Sequence, residues 1–139
     1  KGVTPAGTVD NTHLVSTGLD LLPTLCDVAQ LEQPASLPGL SLKPIIEGHG
    51  LADSWRDYLI AETHLIPPIY LGTYGYMVRT ERYKYVGYNW GRYREQLFDL
   101  YQDPGEMTNL AVNKKYNNIL DTHRNHLHEW LERESVSES

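Results

Sequence analysis

Cysteine, phenylalanine and methionine are scarce in this sequence of 139 residues, which has one Cys, one Phe and two Met. The single cysteine, Cys26, excludes an internal disulfide framework. Basic residues are also few, because 12 Lys and Arg face 18 Asp and Glu, for a formal net charge of −6. This balance argues against nucleic-acid binding, which normally requires a basic surface. No apolar run approaches the roughly 18 residues of a transmembrane helix, so no membrane partner is expected.

The residues that are present indicate a folded chain. Hydrophobic residues make up 40% of the sequence and charged residues 22%, which is too apolar for a disordered protein. Ten tyrosines are the main aromatic residues. Tyrosine buries a ring while keeping a polar tip, so this choice favours half-exposed sheets and surfaces that face water or carbohydrate.

The first third of the chain predicts loops and short helices. Residues 19–29 form an apolar stretch, and Pro23 is expected to divide it into a tight turn and a helix from Pro23 to about Gln30. Cys26 lies in this stretch and is predicted to pack in a core, since no base or positive group accompanies it. Residues 33–41 read as a linker, followed by a helix over 42–47 that ends at Gly48.

The remainder predicts an α+β fold. Strands are expected at 57–63, 76–80, 83–88 and 96–100, with a tight antiparallel hairpin at Glu81-Arg82. Residues 103–106, Asp-Pro-Gly-Glu, are typical of a type II turn with a left-handed Gly105. The apolar spacing from Tyr116 to Leu131 predicts a long amphipathic helix. A small antiparallel sheet of about four strands covered by this helix is the expected architecture.

Three histidines on this helix invite a metal interpretation: His123, His126 and His128. His123 lies in the apolar stripe, His128 turns away from it, and no cysteine or carboxylate completes a ligand set at a usual spacing. Packing or solvated histidines are therefore the preferred interpretation, and no metal site is predicted.

Glu62 and His64 are the strongest candidates for a binding site. Two residues apart at the end of a strand, they point to the same side and precede a loop rich in tyrosine. They form either part of a polar pocket wall or an ordinary surface. Both interpretations stay open for His64, whereas pairing with Arg79 is preferred for Glu62. The hairpin cations Arg79, Arg82 and Lys84 are interpreted first as solvated charges and second as an anion contact.

The order of four segments carries a resemblance. Residues 15–25 (VSTGLDLLPTL), 37–44 (LPGLSLKP), 76–86 (YMVRTERYKYV) and 95–111 (EQLFDLYQDPGEMTNLA) resemble the C-terminal part of the sulfatase family. Phe98 stands where Tyr is commoner. Within the family, residues 61–64 look closest to N-sulfoglucosamine sulfohydrolase and the glycosaminoglycan sulfatases.

The resemblance implies an alkaline-phosphatase-like parent enzyme with a formylglycine nucleophile and a calcium ion. Cys26 does not resemble the formylglycine motif, because Asp27-Val28-Ala29-Gln30 follows it, and Lys1 is not matched to the catalytic lysine. All catalytic and metal residues would lie upstream, so none is assigned here and the isolated chain is expected to be inactive. The chain is accordingly expected to be a piece of a longer protein, and its compartment (periplasmic, secreted or lysosomal in many relatives) is left open.

The resemblance also predicts the division of the chain. Residues 1–48 would be the last helices of the upstream α/β catalytic domain, and residues 51–139 the C-terminal subdomain, a wall of the substrate cleft for a sulfated carbohydrate. His64 is the predicted substrate-binding residue. The apolar face of residues 19–28 would be exposed without the upstream domain and is expected to be covered by the subdomain or by a homodimer.

Two further hypotheses compete with this one. The chain could instead be a carbohydrate-binding or interaction module that shares the fold, which only the tyrosine-rich loop supports. It could also be a non-catalytic relative of the family. A nucleophile motif and calcium-type Asp and Asn residues upstream of Lys1 would distinguish the first hypothesis from the other two.

Overall fold

The structure is a computed structural model that describes residues 6–7, 9–34, 37–48, 55–65 and 72–137. The chain divides into two compact units, Lys1–Arg56 and Asp57–Ser139, and each is described by itself. The first unit holds two helices, α1 (Thr17–Val28) and α2 (Lys43–Glu47). The second holds strands β1 (Tyr58–Leu65), β2 (Thr73–Thr80), β3 (Tyr83–Tyr88) and β4 (Glu95–Asp99), followed by helix α3 (Asn117–Ser137).

Helix α1 is continuous through Pro23, so the predicted division at this residue is wrong. A proline inside a helix leaves the carbonyl four residues earlier, here that of Leu19, without its usual donor. Gly39 lies so close to this carbonyl that a Cβ atom on it would fall 1.9 Å from the Leu19 oxygen. Pro23 itself is fully buried. The linker therefore packs closely against the helix at Leu19 and Pro23.

A buried carboxylate organises the first unit. Asp20 is 0% exposed and accepts two hydrogen bonds of 2.6 Å from the guanidinium of Arg56. It also accepts the backbone N–H groups of Ser16, at the start of α1, and of Leu40, in the linker. Burial opposes ionisation, yet these donors hold the pKa of Asp20 below its ordinary value. Asp20 thus joins three separate parts of the unit.

The same helix leaves an apolar surface uncovered. Leu22, Leu25 and Val28, predicted to form one face, are 51%, 55% and 52% exposed, and the neighbouring Leu21 is 56% exposed. Coverage of this face by the subdomain or by a second copy stays a prediction.

The sheet confirms the predicted fold. Its order is β1-β2-β3-β4 and each neighbouring pair is antiparallel. The hairpin at Glu81-Arg82 is present, because Thr80 ends β2 and Tyr83 begins β3. Strand β2 begins at Thr73, three residues before the predicted start. This extension brings Tyr74 into the sheet opposite His64.

Helix α3 covers one face of the sheet and closes the core. The buried cluster joins Val78, Tyr85 and Leu97 of the strands to Leu120 of α3. Tyr116, Ile119 and Leu127 pack against it, as the predicted apolar face requires. Two single turns of 3-10 helix, Leu110–Val112 and Lys114–Tyr116, lead into α3.

The turn before these segments differs from the prediction. The N–H of Glu106 donates to the carbonyl of Asp103 over 3.0 Å, so a turn forms at 103–106. The left-handed residue is Glu106, with φ 56°, and Gly105 is not left-handed, so the expected type II geometry is wrong. The carboxylate of Asp103 accepts the N–H of Thr108, and Glu106 forms an ion pair with Lys84. These contacts hold the chain where Glu106 must be left-handed.

Candidate functional site

Strands β1 and β2 place four polar and aromatic side chains on one face at the same end of the sheet. Glu62 lies opposite Tyr76, and His64 lies opposite Tyr74. Residues two apart on a strand share a face, so all four project to the same side. The prediction that Glu62 and His64 point together is confirmed. We call this group, with Trp130 of α3, the His64 cluster.

Histidine and carboxylate form a direct pair in this cluster. His64 Nε2 lies 2.6 Å from Glu62 Oε1, and their side chains are 58% and 41% exposed. The bond to His64, helped by one from Tyr76, lowers the pKa of Glu62. The expected pairing of Glu62 with Arg79 is wrong, since Arg79 donates to the carbonyls of Thr80 and Glu81. An exposed imidazole held by a carboxylate is a suitable donor to an anionic or hydroxylated ligand.

Aromatic rings continue the cluster from the sheet to the helix. The His64 ring stacks on Tyr74 with centroids 5.9 Å apart and planes inclined by 28°. Tyr74 contacts Tyr76 at 6.1 Å, and Tyr76 contacts Trp130 at 5.9 Å. Burial, and then the bond to Glu62, raise the pKa of Tyr76, so its hydroxyl stays protonated. Such rings provide flat apolar surface with polar edges, which suits the faces of sugar rings.

Sequence reasoning missed Tyr74 and Tyr76 as site residues, although it noted a tyrosine-rich loop. The available signal was their alternation, two residues apart, immediately before the predicted strand at 76–80. Trp130 was predicted only as part of the apolar face of α3. Its contact with Tyr76 depends on how the helix crosses the sheet, which periodicity does not reveal.

The hairpin cations have intramolecular partners. Arg82 donates to both carboxylate oxygens of Asp99, the shortest contact being 2.6 Å, and this lowers the pKa of Asp99. Lys84 forms an ion pair with Glu106. These ion pairs favour a structural role for Arg82 and Lys84 over contact with an external anion.

The helix histidines also have separate partners. His123 is 3% exposed, with Nδ1 2.7 Å from the carbonyl of Ile119 and Nε2 3.1 Å from the hydroxyl of Thr80. His126 stacks on Tyr58, with ring centroids 4.3 Å apart, and His128 pairs with Glu132. His123 is therefore a packing residue, as preferred.

The described residues do not fit a calcium site or a formylglycine. Within them, no group of three or more His, Cys, Asp or Glu side chains is placed to hold a metal ion. The carboxylates of Asp20 and Asp99 each form an ion pair with an arginine, Arg56 and Arg82 respectively. Cys26 is a free, half-buried thiol within α1. In the same part of the chain, no helix is both long and apolar enough to cross a membrane.

Comparison with known proteins adds the family context. A family model described as "N-sulphoglucosamine sulphohydrolase, C-terminal" matches residues 2–134. The chain is 43% identical over 120 residues to the Delta 4,5-hexuronate-2-O-sulfatase of Bacteroides thetaiotaomicron, covering 86% of this chain and 24% of the relative. It is 34% identical over 100 residues to human arylsulfatase K, covering 68% of this chain and 18% of the relative. The chain thus spans about a quarter or less of these curated relatives.

Solved structures give the same result. A 2-O GAG sulfatase superposes with a TM-score of 0.82 at 40% identity, over 91% of this chain and 27% of that one. A crystal structure of another sulfatase from Bacteroides thetaiotaomicron gives a TM-score of 0.80 at 42% identity, over 88% and 26%. Most of the chain therefore matches a part of much longer proteins.

Proposed function

The chain belongs to the family of N-sulphoglucosamine sulphohydrolase C-terminal regions, and it corresponds to the C-terminal part of a sulfatase. From this premise we propose that it completes an enzyme that hydrolyses sulfate esters or sulfamates of sulfated carbohydrates. In this proposal the second unit forms a wall of the substrate cleft, and the catalytic groups lie elsewhere in the same polypeptide.

The substrate class rests on the relatives. Two curated relatives from Bacteroides thetaiotaomicron are named for sulfated sugars, one a hexuronate-2-O-sulfatase and the other an N-acetylglucosamine-6-O-sulfatase. A solved relative is titled a 2-O GAG sulfatase. These names differ in the sugar and in the position of the sulfate, so we propose sulfated glycosaminoglycan fragments as a class.

The His64 cluster is the main structural feature that supports the proposed role of the second unit as a wall of the substrate cleft. Its imidazole, its carboxylate and the ring of Tyr74 are exposed at one end of the sheet, and this combination suits a sugar ring with its hydroxyl and anionic substituents. Glu62 acts on His64 as a positioning residue, since its bond to Nε2 fixes the orientation of the ring. We propose that the edge of His64 and the ring of Tyr74 contact the sugar that carries the sulfate.

The test compares two substrates in the full-length polypeptide that contains this segment. His64→Ala is expected to lower kcat/KM for a sulfated disaccharide at least tenfold more than for a small aryl sulfate, because only the larger substrate reaches the wall. Thr63→Ala is the matched control, since Thr63 is an exposed neighbour on the opposite face of β1. Equal losses on both substrates, or none, would contradict the proposal.

Glu62→Gln separates positioning from direct contact. Glu62→Gln keeps an acceptor for the imidazole N–H, whereas Glu62→Ala removes it, so the loss of disaccharide turnover is expected to be larger in Glu62→Ala. Wild-type turnover in both variants would exclude a positioning role for Glu62. A full loss of aryl sulfate turnover in either variant would place the cluster in the reaction itself rather than in the wall.

The 139-residue chain by itself is proposed to be inactive, since the described residues offer neither a suitable nucleophile nor a metal site. Incubation with an aryl sulfate and calcium should release only background product. Turnover that scales with protein concentration would place catalytic groups within this chain.

A further inference from the structure

A short loop beside the His64 cluster combines exposed aromatic and cationic side chains. Residues 89–94, Asn-Trp-Gly-Arg-Tyr-Arg, connect β3 to β4. Trp90 is 74% exposed and Tyr93 is 64% exposed, more than any other tryptophan, tyrosine or phenylalanine that the structure describes. A tryptophan ring this exposed is free to stack on an external ligand. This segment is called the 89–94 loop.

The 89–94 loop is held in place at several points. The N–H of Tyr88 donates to the carbonyl of Arg94 over 2.8 Å, which closes the loop. The guanidinium of Arg94 donates to the carbonyl of Gly91, whose φ of +120° is readily adopted only by glycine. A loop with bonded ends presents its exposed side chains in a limited set of positions, so binding them costs less conformational entropy.

Asn89 joins this loop directly to the His64 cluster. Its N–H donates to the carbonyl of Tyr74 over 3.0 Å, and its Oδ1 accepts the N–H of Tyr74 over 3.0 Å. Its Nδ2 also donates to the carbonyl of Gly72. Tyr74 is the residue on which His64 stacks. The antiparallel topology therefore brings the loop and the cluster to the same end of the sheet, where Asn89 bonds directly to Tyr74, a member of the cluster.

The charge of the loop is opposite to that of the chain. It carries Arg92 and Arg94, whereas the chain has a formal net charge of −6. Arg92 lies 5.6 Å from the ring of Tyr93, and within the described residues neither Arg92 nor Arg94 has a carboxylate partner. Arg56, Arg82 and Arg124, by contrast, are all paired with acids. The loop thus offers cations that remain available to an external anion.

We propose that the 89–94 loop is a second carbohydrate subsite, in which Trp90 stacks on a sugar ring adjacent to the one at His64, and Arg92 and Arg94 bind its sulfate or carboxylate groups. This inference rests on the proposed function for the substrate class, sulfated glycosaminoglycan. Guanidinium groups match such anions because their planar N–H donors form paired hydrogen bonds. The subsite would make recognition depend on the length of the saccharide.

The test measures binding of a sulfated, heparin-derived tetrasaccharide to the 139-residue chain by calorimetry. Trp90→Ala is expected to weaken binding about fivefold, the range of one aromatic stacking contact. Arg92→Gln with Arg94→Gln is expected to weaken it about threefold to tenfold at low salt, with the difference shrinking as salt screens the charges. The matched control is Lys114→Gln with Lys115→Gln, which removes the same charge from exposed residues elsewhere.

Tryptophan fluorescence provides an independent readout. The chain has three tryptophans, and Trp55 and Trp130 are both half-buried. Quenching or a blue shift on addition of the tetrasaccharide should therefore come mainly from Trp90 and disappear in Trp90→Phe. Persistence of the full signal in Trp90→Phe would show that Trp90 does not meet the sugar.

Four results would overturn the subsite. They are wild-type affinity in the loop variants, an equal loss in the lysine control, equal binding of an unsulfated tetrasaccharide, and no binding by the wild-type chain. The two proposals fail separately. If His64→Ala weakens tetrasaccharide binding and the loop variants do not, the 89–94 loop is not a subsite and the proposed role of His64 stands. If only the loop variants weaken binding, the subsite stands and His64 does not contact the saccharide.

Discussion

Residues 1–56 and residues 57–139 bury different kinds of side chain. Among the residues that the structure describes, the largest fully buried side chains are Asp20 and Pro23 in the first unit, and Val78 and Leu97 in the second. In the first unit, the large apolar residues of α1 face outward, whereas in the second the apolar face of α3 lies on the sheet. Burial of hydrocarbon is the main driving force of folding. The second unit therefore has a hydrophobic core of its own, and the first depends on a polar centre.

This difference assigns separate roles to the two units. An apolar helix face left in water marks a surface that another protein surface normally covers. In the proposed sulfatase, the face of α1 packs against the rest of the polypeptide, and the sheet end of the second unit faces the substrate. The predictions below test whether the units depend on these different interactions.

The largest expected effect is that of Asp20→Asn. This substitution leaves the largely buried guanidinium of Arg56 without its counter-charge. Breaking such a buried ion pair costs about 3 to 5 kcal/mol. Amide exchange across residues 16–30 should accelerate strongly while that of residues 74–100 stays unchanged. Asp27→Asn is the control, because Asp27 is half exposed beside Lys43 and should cost under about 1 kcal/mol. Equal acceleration in both units would contradict the comparison.

A pair of leucines measures the hydrophobic contribution in each unit. Leu97→Ala opens a cavity in the core and should lower the free energy of unfolding of the second unit by about 2 to 5 kcal/mol. Leu25→Ala removes a side chain that is 55% exposed and should change the first unit by less than about 0.5 kcal/mol. Urea unfolding of both variants gives these values. A larger cost for Leu25 would mean that the α1 face is already covered in solution.

A titration tests the buried histidine of the second unit. Burial lowers the pKa of His123, so the unfolded chain gains a proton at a higher pH than the folded chain. Stability from this residue is complete above the unfolded pKa and is lost as the pH falls below about 6.5, by at most about 1.4 kcal/mol per pH unit. His123→Leu should flatten the fall between pH 7 and pH 5. The control is the exposed Asn125→Gln on the same helix, which removes no titratable group and should leave the slope unchanged.

The smallest expected effect lies at the end of α1. Gln30 has φ 57°, and the N–H groups of Gln30 and Leu31 bond to the carbonyls of Asp27 and Cys26, the pattern of a Schellman motif. Glycine adopts this conformation without the strain of a side chain, so Gln30→Gly should stabilise the first unit by about 0.5 to 1 kcal/mol. Thermal unfolding checks the sign, and a destabilised variant would mean that the Gln30 side chain makes a contact worth more than the strain.

Much of the second unit could be predicted because its patterns are regular. Two alternating strands with two residues between them predicted the β2–β3 hairpin, and the spacing of Ile119, Leu120, His123 and Leu127 predicted the buried face of α3. Pro23 and Gly105 were interpreted wrongly, because α1 continues through Pro23 and the left-handed residue of the turn is Glu106. Local propensity does not include such contacts.

The candidate site could be predicted only in part. Glu62 and His64 followed from spacing on one strand, but the register that places Tyr74 opposite His64 is a tertiary feature. The link from Asn89 to Tyr74 depends on the same register. The proximity of the 89–94 loop to His64 therefore required the structure.

One measurement tests the central claim that the sheet end of the second unit, and not the first unit, faces a sulfated sugar. Amide exchange of the 139-residue chain is compared with and without the sulfated tetrasaccharide. The account predicts added protection confined to residues 62–64, 72–76 and 88–94, with residues 17–28 unchanged. Protection on α1, or on the hairpin turn at residues 80–83 at the other end of the sheet, with none at 62–64 and 88–94, would contradict it.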